Sequence, residues 1–167
     1  MVDRKFLILF VILLCSPIFD SVASEDFKGS SPAGEYTFGL IGGLGVLDSS
    51  AGFAVIGNAA KKIIHQGFVP EINNQVWVEF EAGPLFVSGS SAFIYSAHLR
   101  WDFHKDQTWT FYGLGGLGGN ITGEKLGSHW ELFPRFGVGA FCKVNPQITL
   151  RGELSHELFV AGVSFSL

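Results

Sequence analysis

The chain has 167 residues, 47% of them hydrophobic and 14% aromatic, with 22 glycines and a formal net charge of −4. That charge argues against a nucleic-acid partner, which needs a basic face. Two cysteines give no disulfide framework, and mean hydropathy is +0.34 although no segment beyond the amino terminus reaches the ~18 consecutive apolar residues of a spanning helix.

Arg4 and Lys5 precede the apolar run 6–14, and Ser21-Val22-Ala23 offers small residues ahead of Ser24. This is the layout of a secretory signal peptide over residues 1–23, cleaved after Ala23, with Cys142 the cysteine that remains. An exported chain that is apolar, glycine-rich and free of spanning helices reads as a transmembrane β-barrel, which hides its hydrophobicity in alternate positions. Residues 24–35, polar and with Pro32, form a periplasmic lead-in, and the barrel domain takes residues 36–167.

The first strand runs from Tyr36 to Val46, with Phe38, Leu40, Leu44 and Val46 on one face. A second starts at Phe53 and reaches about Ala60. The stretch 61–74 stays open between an extended second strand, a short amphipathic helix and a loop. From Gln75 onward Val76, Val78, Phe80, Ala82 and Phe86 alternate with Trp77, Glu79, Glu81 and Leu85. After a Ser/Gly turn, Phe93, Tyr95, Ala97, Leu99, Trp101 and Phe103 alternate with Ile94, Ser96, His98, Arg100 and Asp102. The stretch 108–119 has glycines on both parities, so its facing stays open. Its Gly113–Gly118 matches GxGxxG, but Asn120-Ile-Thr-Gly follows where a dinucleotide site needs a helix, which leaves packed barrel wall as the reading.

A polar loop, 120–129, leads to Trp130, Leu132, Phe136, Val138 and Ala140 facing away from Glu131, Arg135 and Lys143. Asn145-Pro146 signals a turn. The last hairpin sets Ile148, Leu150 and Leu154 against Thr149, Arg151, Glu153 and Ser155. After His156-Glu157 it sets Phe159, Ala161, Val163, Phe165 and Leu167 against Val160, Gly162, Ser164 and Ser166. The expected fold is all-β: a closed antiparallel transmembrane β-barrel of about eight strands. Pro84 and Pro134, which lack a ladder donor, should sit at bulges or strand ends. Trp101, Phe103, Trp109 and Trp130 are candidates for interfacial aromatic girdles.

Period two also places Glu79, Glu81, His98, Arg100, Asp102, Glu131, Arg135, Arg151 and Glu153 in the lumen. An eight-stranded interior is filled by side chains, so these should form a structural salt-bridge network. Arg100 is expected to pair with Glu79 or Glu81, and Arg135 with Glu153 or Glu131. The alternative for the same residues is a narrow pore, whose mixed signs would give little ion preference. The histidines at 65, 98, 104, 129 and 156 show no tight metal spacing, so neither metal nor cofactor is expected.

Gly162, Phe165 and Leu167 match the C-terminal pattern read by the bacterial barrel-assembly machinery: a glycine, then apolar residues three and five positions on. Together with Phe136-Gly-Val-Gly-Ala and Thr149-Leu-Arg-Gly-Glu-Leu, they make the chain resemble the small bacterial outer-membrane β-barrel superfamily of the OmpA/OmpX and opacity-protein type. That resemblance implies an eight-stranded monomeric barrel in the bacterial outer membrane. Its partners would be outer-membrane lipid, lipopolysaccharide and the barrel-assembly machinery. No single activity is implied; a structural or surface-interaction role through extracellular loops is the expectation. The stretch 108–156 also loosely resembles lipid A deacylases, whose motif is a histidine followed two residues later by serine and then asparagine. Here Glu157, Leu158 and Phe159 follow His156, which leaves His156 as the one catalytic candidate and a hydrolase as the alternative function.

Overall fold

A computed structural model of the chain describes residues 34–47, 50–87, 90–122 and 129–167. The eight alternating runs form β1 (Tyr36–Leu47), β2 (Ser50–Ile64), β3 (Asn74–Val87), β4 (Ser90–His104), β5 (Trp109–Thr122), β6 (His129–Lys143), β7 (Ile148–Ser155) and β8 (Leu158–Ser166). Each strand pairs antiparallel with its neighbours in sequence, and β1 pairs with β8, so the sheet closes into a barrel. The signal peptide and nearly all of the lead-in lie outside the described residues, as does most of the loop 120–129.

Of the three readings for 61–74, the strand is realised as far as Ile64, with a register shift between Lys62 and Ile64 opposite β3. The facing of β5 is now fixed. Tyr112, Leu114 and Asn120 point inward and are buried, while Phe111, Leu117 and Ile121 point outward. The Tyr112 ring lies over its cross-strand partner Gly139, where a Cβ would overlap it. Both prolines lie inside strands, Pro84 in β3 and Pro134 in β6, and not at a strand end or bulge; each sits where the ladder on one side is open. The β2–β3 ladder skips Gly83 and Pro84. Pro134 pairs toward β5, and β7 begins pairing with β6 only at Gly137.

Outward positions are apolar and exposed all round, as at Leu40, Phe80, Leu99, Leu117, Phe136, Leu154 and Phe159. Aromatic groups gather at both ends of this wall. Trp101 packs against Phe68 and Phe103 with ring centroids 5.4 and 4.7 Å apart, and Trp109 stacks on Phe111. At the opposite end Trp130 donates its indole N–H to the Tyr95 hydroxyl.

The lumen is filled in layers. Toward the end away from the termini, Ile41, Ala54, Ile56, Leu85, Val87, Ile94, Leu158 and Val160 form an apolar cluster inside the barrel. A charged layer follows, and beyond it a polar half toward the termini. At the far end the connections 48–49, 88–89 and 156–157 are two residues each, and 123–128 is longer. The rim there is uneven: β7 and β8 have 8 and 9 residues against 15 in β6. Residues 129–136 of β6 therefore rise above the β7–β8 turn.

Candidate functional site

The charged layer follows from strand parity and register. Glu79 and Glu81 are two apart on β3, with Glu79 opposite His98 and Trp77 opposite Arg100 on β4. Arg135 projects from β6, and Arg151 and Glu153 project two apart from β7. All eight, with Asp102, are at most 4% exposed.

Arg151 sits at the centre. Its guanidinium pairs with Glu79 and Glu153, reaches Glu81 Oε1 at 2.8 Å through Nη2, and donates from Nε to the Tyr112 hydroxyl at 2.9 Å. Tyr112 in turn donates to Glu153 Oε2 at 3.0 Å. Arg100 Nη1 lies 2.8 Å from Glu79 Oε2, and Arg100 takes both oxygens of Asp102 at 2.8 and 3.2 Å. Arg135 Nη2 is 2.7 Å from both Glu81 Oε2 and Glu153 Oε1, and Nη1 donates to Ser96 Oγ at 3.0 Å. His98 completes the layer, 3.4 Å from Glu79 and 3.3 Å from Ser96. Aromatic faces cover the cations: Arg100 lies 4.8 Å from the Phe141 ring centroid and 5.1 Å from that of Trp77, and Arg151 lies 5.2 Å from that of Tyr112. Isolated charges here would be costly, and the layer is tolerable because every carboxylate has a guanidinium within bonding distance.

Glu79, Glu81 and His98 bring ligand atoms within 4.8 Å of one another, a spacing that a metal ion would accept. Arg100, Arg135 and Arg151 already hold those carboxylates, so a cation would have to displace guanidinium groups. Ion pairing is the chemistry this arrangement performs.

Two expected members behave differently. Glu131 is exposed and accepts a hydrogen bond from Asn120 Nδ2 at 3.3 Å, because the overhang of β6 lifts it above the charged layer. Arg135 therefore meets Glu153 and Glu81, not Glu131. His156 lies in the β7–β8 turn, exposed, with Nδ1 2.7 Å from Glu157 Oε2 and its ring edge-on to Phe133. Burial pushes the Glu157 carboxyl up, against Arg135 and His156, which pull it down. Ser155 Oγ accepts from Leu158 N, Ser164 lies toward the other end of β8, and Ser128 falls outside the described residues. Among the described residues no hydroxyl bonds to His156, so a base and an orienting acid stand without a nucleophile. At the C-terminus, Phe165 and Leu167 face outward, while a Cβ at Gly162 would overlap the β1 backbone at Leu40.

Sequence reasoning missed Tyr112 and Phe141. Tyr112 belongs to a segment with glycine on both parities, whereas Phe141 shares the inward parity of Arg135 and Lys143 but is apolar. The register with Gly139 is the signal that would have found Tyr112.

No protein-family model matches the sequence, and no curated protein matches it. Among solved structures the chain is similar to Ail, the attachment invasion locus protein of Yersinia pestis, both alone and in complex with the heparin analogue sucrose octasulfate. In each case the TM-score is 0.51 and the identity 13%, over 78% of this chain and 96% of Ail. At that identity the likeness is one of fold: a small eight-stranded barrel of the type the C-terminal pattern resembles.

Proposed function

We propose that the chain is a bacterial outer-membrane barrel with a closed lumen, which acts through its lipid-facing wall and outer rim and does not serve as a conduit. The observation that carries this is the stacking of two closures, an ion-paired layer at most 4% exposed and an apolar cluster beyond it. The termini then face the periplasm, the apolar wall meets lipid and lipopolysaccharide, and Gly162, Phe165 and Leu167 serve the barrel-assembly machinery. The signal peptide directs export and is removed after Ala23, and the barrel works as a monomer.

With three of four outer connections only two residues long, the surface role belongs to the rim and to the segment 123–128 more than to long loops. The ligand of Ail does not transfer with the fold. The described rim offers no basic cluster for a polyanion: Glu131 is exposed there, and His156 is paired with Glu157. The hydrolase reading has no support from His156, whose contacts are an acid and an aromatic ring. Reconstitution of the barrel in planar bilayers is the test. No channel steps above the lipid baseline are expected, and a steady conductance would overturn the reading.

A further inference from the structure

Between the ion layer and the end that carries the termini lies a cavity of about 70 Å³. That is room for about five waters, or for a solute with about as many heavy atoms. Four of its lining side chains present polar atoms that have no hydrogen-bond partner among the described residues: Thr37 Oγ1, Trp77 Nε1, His104 Nε2 and Ser164 Oγ. Thr37, Trp77 and Ser164 are only 8%, 2% and 5% exposed, so bulk water does not account for them. Buried polar groups are as a rule hydrogen-bonded, and four orphans around one space define a shared demand.

The demand is for an acceptor. An indole N–H can only donate, and the two hydroxyls can donate. His104 Nδ1 lies 2.8 Å from Thr110 Oγ1, and when that hydroxyl donates, Nε2 carries the proton toward the cavity. The surrounding charge agrees. Lys143 lines the space, and the Lys62 ammonium lies 5.1 Å from the Trp77 ring centroid. The nearby carboxylates are engaged: Asp102 gives both oxygens to Arg100, and Asp106 Oδ1 accepts from the backbone N–H groups of Thr108 and Trp109.

We propose that this cavity binds a small oxyanion, a carboxylate or phosphate of about five heavy atoms, held by the Trp77 indole N–H, the Thr37 and Ser164 hydroxyls and Lys143. The ion layer ends the path beyond it, so the anion enters and leaves by the same mouth. In the orientation proposed above that mouth opens to the periplasm.

The test follows the indole N–H resonances of the refolded barrel in lipid nanodiscs by nitrogen-15 NMR, with Trp77→Phe identifying the Trp77 signal. Sodium phosphate and sodium acetate are titrated at fixed ionic strength, with chloride as control. A saturable downfield shift at Trp77 with either anion, while Trp130 stays still, is expected. Whichever anion acts identifies the class. Lys143→Gln and Ser164→Ala, checked for folding by heat-modifiable mobility, should each weaken the response about 10-fold, the loss of one charge-assisted or buried hydrogen bond. A Trp77 signal that ignores both anions, follows chloride equally, or responds with unchanged affinity in both variants would overturn the proposal and leave a chamber of water.

Discussion

At the scale of single residues, Arg151 is the group whose loss should cost most. Among the described residues it alone contacts Glu79, Glu81 and Glu153, and it also meets Tyr112. Arg151→Ala is expected to lower stability by about 3–5 kcal/mol in urea unfolding from lipid vesicles, because buried carboxylates lose a counter-ion. Arg151→Lys should recover only part of that, since one ammonium cannot serve four acceptors in a fixed plane. Glu131→Gln at the rim should cost less than ~1 kcal/mol. Glu157 adds a pH dependence. Its carboxyl is pushed up by burial, so the folded barrel holds that proton more tightly than the unfolded chain. The ionisation penalty is absent below the unfolded value and sets in as pH climbs through the folded one. Wild type should therefore lose stability relative to Glu157→Gln as pH rises out of the ordinary carboxylate range. Parallel unfolding curves across that range would refute the shift. Strand parity in the sequence shows which charges share a face, but not who meets whom across a closed tube. Arg151 and Glu79 are 72 residues apart and on strands that are not neighbours, so reasoning from adjacent strands does not join them.

At the scale of elements, alternation was legible wherever side chains of contrasting character shared a strand, and illegible where glycine held both parities. β4 could be faced from its sequence; β5 could not until its register with Gly139 was known. The prolines show the same limit. Pro134 is tolerated because β7 stops short, which is a property of a strand elsewhere in the chain. The outward faces make a direct prediction. Leu99 lies midway along the wall and is exposed there. Leu99→Arg should cost about 2–4 kcal/mol in a bilayer, whereas Leu132→Arg near the rim should cost about 0–1 kcal/mol. Equal costs at the two sites, measured by reversible folding into vesicles, would mean that the wall is not embedded as described.

At the scale of the whole molecule, the barrel has two closures in series, and only one was visible in the sequence. The charged layer announces itself through polar residues at inward positions. The apolar cluster does not: parity puts Leu85, Ile94 and Val160 on the inward face, but nothing in the sequence shows that they meet Ile41, Ile56 and Leu158 at one level of the tube. Series closure has a consequence for conductance. Arg151→Ala alone should remain silent in planar bilayers, since the dry apolar layer still blocks ions, and so should Leu85→Ser. Only the two together should conduct. Current from Arg151→Ala by itself would show that the apolar cluster does not seal.

The short β7 and β8 reach beyond the protein itself. At about 3.3 Å per residue and a tilt near 40°, eight residues rise only about 20 Å along the bilayer normal, where fifteen rise about 38 Å. The hydrocarbon core they face is about 30 Å thick. On one flank the wall is too low for the membrane, and on the other it is ample. The lipid collar is therefore lopsided: acyl chains beside Leu150, Leu154 and Phe159 must shorten or splay, while those beside β6 need not. The barrel imposes a direction on the bilayer around it, a soft side where lipid packing is weakest.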